Sequence, residues 1–122
     1  MTVRGALIDA DSGRTVAARI VRAETLFART AGLLGRSRLD DDEGMFFADC
    51  AAVHTIGMRM AIDVLFLDGD GVVVHVEPSA QPWRAYVAGP GAQAVIELAA
   101  GACARLGIAP RQRLELRWDS ST

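Results

Sequence analysis

The stretch Val53–Asp68, VHTIGMRMAIDVLFLD, decides the fold. From Met60 onward, Met60, Ile62, Val64 and Phe66 fall on one side of an extended strand, and Ala61, Asp63, Leu65 and Leu67 on the other. Both sides are apolar, which predicts a central strand covered on both faces. Asp63 stands in the middle of that strand. A carboxylate there must find donors or a counter-charge, or take up a proton. Arg36 is the arginine expected to meet it. His54 and Thr55 open the run, and Gly57 supplies a place for the chain to bend before the strand begins.

Further strands flank this one. Val3–Ile8 and Arg14–Val21 are joined by the turn-forming DADSG, and Gly44–Ala48 (GMFFA) has adjacent large side chains that need cover on both faces. The DGDG of Asp68–Gly71 is a hairpin signal, and Val72–Glu77 is the returning strand, ended by Pro78. Its D-x-D-G spacing resembles the start of a calcium loop, but the later ligands and the closing Glu are missing, so no metal site is expected. Ala94–Leu98 is a strand carrying a second internal acid, Glu97. Gln112–Trp118 alternates leucines and Trp118 against charged residues, as a half-exposed edge strand does. Thr25 is a good N-cap for a helix over Leu26–Leu34 closed by Gly35, and Gly101–Leu106 is a shorter helix closed by Gly107. Many short strands and few short helices predict a single mainly β domain over residues 1–122. Its expected form is a compact antiparallel β sandwich or barrel with one or two short helices packed on it.

Composition excludes several functions. A hydrophobic share of 51% suits one packed core, and a net charge of −2 offers no broad nucleic-acid footprint. All 13 basic residues are arginine, so a lysine Schiff base is excluded. No apolar run reaches the roughly 18 residues a membrane span needs. No signal-peptide pattern opens the chain, which points to a soluble, cytoplasmic protein. Cys50 and Cys103 lie among alanines and read as small buried thiols. No Walker loop, dinucleotide fingerprint or serine elbow is present, and no cofactor is expected.

The candidate site residues are His54, Thr55, Asp63 and Glu97, with Trp83 and Arg84 on the long segment Ser79–Gly91. The expectation is that His54, Thr55 and Glu97 share one concavity with Asp63 in its wall or beneath it, and that the Trp83–Arg84 segment closes over it. An inward Arg84 would favour a carboxylate-bearing ligand; acids alone would favour a cation. His75 and Glu77 share a strand face and read as a surface pair. Three functions follow from these residues. The first is a small binding module with a polar pocket for a small polar molecule or a peptide end. The second is a hydrolase or isomerase using His54 with a carboxylate. The third is an accessory protein acting through a surface patch.

The order Arg29-x-x-Gly32-Leu33-Leu34-x-Arg36, Gly44-Met45-Phe46-Phe47, Ile62-Asp63-Val64-Leu65-Phe66-Leu67-Asp68, Val95-Ile96-Glu97-Leu98-x-x-Gly101 and Leu106-Gly107-Ile108 resembles the DUF192 family, from Ala23 to Leu116. The resemblance implies a compact mainly β fold and no particular activity, and it makes Asp63 and Glu97 part of the shared motif. Many members carry Trp-Met-Lys-Asn-Thr where this chain has His54-Thr55-Ile56-Gly57-Met58, and Gly-Asp where it has Gln112-Arg113.

Overall fold

A computed structural model describes residues 2–23, 36–87 and 91–120. Among these, nine strands and one helix follow in the order β1 (Arg4–Asp9), β2 (Thr15–Arg22), β3 (Glu43–Ala48), β4 (Ala52–His54), β5 (Ile62–Leu67), β6 (Val73–Ala80), β7 (Ala85–Val87), β8 (Ala94–Ala99), α1 (Ala102–Leu106) and β9 (Leu114–Trp118). Seven strands form one sheet in the order β6-β5-β8-β3-β2-β1-β9, while β4 and β7 pair separately. Every pairing is antiparallel except β2 with β3. The expected helix over Leu26–Leu34 lies outside the described residues.

β5 is buried along its whole length, as a strand apolar on both sides must be. The sheet curls until its two edges meet. Val73 N donates to Gln112 O, Arg111 N to Val73 O and Leu114 N to Gly71 O, so the DGDG turn leans on β9 and closes one corner of a half-barrel. Gly71 makes that approach feasible: its φ is +83°, and a Cβ there would stand 2.5 Å from the Leu114 carbonyl oxygen.

The two faces of the sheet carry two cores. The inside of the curl holds Leu7, Ile20, Phe46, Leu65, Ile96, Leu98 and Leu114, plugged by Ala102 and Cys103 of α1. The outer face of β3, β5 and β8 holds Phe47, Ile62, Val64, Phe66 and Val95, with Met58 and Ala80. The β4–β7 pair covers this outer face as a flap, because Val53 and Tyr86 pack onto it.

Two boundaries differ from the sequence reading. β6 runs through Pro78 to Ala80; it is an edge strand on that side, so the missing proline N–H breaks no ladder bond. The segment Ser79–Gly91 is not one loop but contains β7, a strand of three residues and too short to show periodicity. The His75–Glu77 pair is present at 3.1 Å on the exposed side of β6.

Candidate functional site

Asp63 has no solvent exposure. Its Oδ1 accepts from Ser79 N at 2.8 Å and Gly101 N at 3.1 Å, and its Oδ2 from Cys103 N at 2.9 Å. Gly101 and Cys103 open α1, so a strand carboxylate from 38 to 40 residues upstream caps the helix that its N-cap residue, Gly101, leaves without a side-chain cap. Arg36 does not meet Asp63. It pairs instead with Glu43 at 3.2 Å, in a surface group where Arg19 also binds Asp42 at 2.6 Å and Asp40 at 3.1 Å. Those bonds from Arg19 hold the Asp40 and Asp42 carboxyls below the usual range. Asp63 is satisfied by backbone N–H groups, which no side-chain pattern announces. Burial and the adjacent Asp63 push the Cys103 thiol up to about 12, so it is no nucleophile.

Glu97 faces the other way. In the β5–β8 ladder Asp63 stands opposite Leu98 and Val64 opposite Glu97. Alternation therefore sends Asp63 into the half-barrel and Glu97 to the outer face, between Val64 and Met45. Glu97 is only 4% exposed, and no described residue gives it a hydrogen bond or an ion pair. Desolvation raises its carboxyl to about 7. The two acids expected to share a concavity are thus separated by the sheet itself.

Thr55 is also fully buried. Its Oγ1 donates to Gln81 O at 2.6 Å and accepts from Arg84 N at 2.9 Å. Its backbone N donates to Arg84 O, and its O accepts from Trp83 N and from Met58 N. The last bond closes a turn through Gly57, whose φ is +84°, the bend expected before β5. One threonine thereby ties segment 81–84 to the end of β4, and its hydroxyl is committed to the backbone.

His54 pairs with Ala85 in the flap. Since its neighbour Val53 packs inward, His54 points outward, and it is exposed. It makes no hydrogen bond or ion pair with Asp63 or Glu97. Trp83 and Arg84 do come to the same place as His54 and Thr55. Trp83 is 68% and Ile56 50% exposed, and these two flank the Thr55 node. Trp83 holds φ +64°, a left-handed conformation rare for a tryptophan. Arg59 and Arg84 are exposed, and neither guanidinium makes an ion pair or hydrogen bond with a described residue. Segments 51–62 and 78–92 contain no Asp or Glu. The flap is a basic, aromatic surface on a chain whose net charge is −2.

A concavity unforeseen from the sequence opens at the mouth of the half-barrel. Its floor is Phe46, Leu67, Leu114 and Leu116, and its rim includes Asp49, Asp68 and Gln93. The signal present in the sequence was Asp68 at the end of β5, which reads as a turn residue alone.

These features define a class: a curled half-barrel with one capped helix inside and a two-stranded flap outside. The chain matches the model of DUF192, described as an uncharacterized ACR, over residues 7–116, and it belongs to that family. A UPF0127 protein of Thermococcus sibiricus is 32% identical over 99 residues, covering 78% of this chain and 64% of that one. The chain thus spans somewhat under two thirds of that relative's length. Among solved structures, a Sinorhizobium meliloti protein described as a "putative transcription regulator" superposes with a TM-score of 0.81 at 30% identity, covering 95% of this chain and 94% of that one. A Novosphingobium aromaticivorans protein of unknown function gives a TM-score of 0.75 at 30% identity, covering 94% and 84%.

Proposed function

We propose that the protein is a small binding module whose flap receives the carboxylate-bearing end of a peptide or a comparably small acid. The observation that carries this reading is the flap's composition: Trp83 held out in solvent beside Ile56, with Arg59, Arg84 and His54 exposed and no acid in either segment. Tryptophan and arginine dominate the energetics of protein recognition sites. Arginine presents a planar fork of donors to a carboxylate. The Thr55 bonds fix the backbone of Trp83 and Arg84 before any ligand arrives, so binding orders little. The left-handed Trp83 is local strain of the kind found where a side chain must be aimed. The hydrolase or isomerase reading has less support, since no described carboxylate makes a hydrogen bond or ion pair with His54 to orient it.

The experiment is a fluorescence titration of a Trp118→Phe variant, in which Trp83 is the remaining tryptophan. Its probes are one short peptide with a free C-terminal carboxylate and the same peptide amidated. The expected result is a saturable change with the free acid, weakened at least tenfold by amidation and by Arg84→Gln. Equal responses to both peptides would contradict the reading.

A further inference from the structure

We propose that the mouth of the half-barrel is a separate binding seat for a small organic cation, a primary ammonium group on a short apolar body. The cavity there measures about 270 Å3, room for roughly nine water molecules at ~30 Å3 each. Mouths of β-barrels are common places for small ligands. The floor is apolar and comes from three strands: Phe46 of β3, Leu67 of β5, and Leu114 and Leu116 of β9.

The rim is acidic. Asp68 is fixed by its turn, with Oδ1 accepting from Asp70 N at 2.8 Å and Val72 N at 2.9 Å. Its Oδ2 makes no bond with a described residue. Asp49 also lines the mouth; its carboxylate makes no bond with a described residue, and its backbone has φ +51°. The Gln93 side-chain amide makes no hydrogen bond with a described residue and adds an acceptor. Among the described residues no arginine or histidine lines the cavity; Arg22, 5.6 Å from the centre of the Phe46 ring, is not among the lining residues. An apolar floor beside two carboxylates, neither in an ion pair with a described residue, complements an amphipathic cation and repels an anion. The occupant therefore differs in sign from the one assigned to the flap, and the two seats are independent.

The test titrates pentylamine, pentanol and pentanoate into 15N-labelled protein and follows the amides of residues 67–71, 93–94 and 114–116. Pentylammonium is expected to shift these amides saturably, with pentanol at least tenfold weaker and pentanoate without effect. An Asp49→Asn, Asp68→Asn double variant should weaken the amine at least tenfold and leave pentanol unchanged, since asparagine keeps the turn acceptor at position 68. Equal binding of amine and alcohol would overturn the assignment of charge while keeping the cavity as a seat. No response to any of the three would overturn the seat itself and would leave the flap reading untouched.

Discussion

Replacing Glu97 by Gln should make the protein more stable at pH 8 and leave it unchanged at pH 4. Glu97 is 4% exposed between Met45 and Val64, and burial raises its carboxyl from 4.5 to about 7. An acid shifted upward stabilises the fold only while protonated. Below pH 4.5 both the folded and the unfolded chain hold the proton, and the contribution is complete. Between pH 4.5 and 7 the folded chain holds it and the unfolded chain does not, so stability falls as pH rises. Above pH 7 both have lost it and the decline ends. A shift of about 2.5 units corresponds to roughly 3 kcal/mol, a large share of the total for a domain of this size. The assay is urea unfolding followed by far-ultraviolet circular dichroism at pH 5, 6, 7 and 8. The wild type should lose most of that 3 kcal/mol across the series. Glu97→Gln, neutral and of equal shape, should stay nearly flat over the same range. The lowered carboxyls of Asp9, Asp40 and Asp42 act in the opposite sense and only at lower pH, outside this window. Parallel pH profiles for wild type and variant would refute the reasoning, because they would mean that Glu97 is solvated or paired in the fold.

Other outcomes follow from the same structure. Asp63→Ala leaves the N–H groups of Ser79, Gly101 and Cys103 without their acceptor and should cost about 3 kcal/mol or more in urea unfolding; an unchanged midpoint would mean that water replaces the carboxylate. With a thiol reagent at pH 8, Cys50 should react in the folded protein and Cys103 only after unfolding, since Cys103 is 4% exposed and its thiol is pushed up to about 12. Gly71→Ala should destabilise by about 2 kcal/mol or more, because a side chain at φ +83° is strained and its Cβ meets the Leu114 carbonyl at 2.5 Å; thermal unfolding measures this, and an unshifted Tm would show that the closed corner is dispensable.

The strand framework was legible because β5, β8 and β9 are long enough to show their period, and because DGDG and the two glycines around α1 mark turns chemically. Asp63 was legible as an internal acid. Its partners were not, because they are backbone groups 16, 38 and 40 residues away, and the arginine favoured by charge lies in a surface cluster with Glu43 instead. Asp63 and Glu97 looked like a pair since each interrupts an apolar strand. Which face each takes depends on register, and opposing Val64 to Glu97 puts the sheet between them. The flap was half visible. His54, Thr55, Trp83 and Arg84 were singled out and do come together, but through two strands of three residues each and a threonine whose role is structural. The mouth of the half-barrel was hidden because it forms only when β9 curls over β3, β5 and β8, a non-local closure that no local pattern carries.

The proposal that the flap is the recognition surface is tested most directly by mapping a bound peptide. In 15N-labelled protein titrated with a short N-acetylated peptide bearing a free C-terminal carboxylate, the perturbed signals should be the backbone amides of Thr55, Ile56 and Arg84 and the indole N–H of Trp83, and amidating the peptide should abolish the shifts. Shifts confined to the half-barrel mouth, at residues 46–49, 67–71 and 114–116, or shifts that survive amidation, would contradict it.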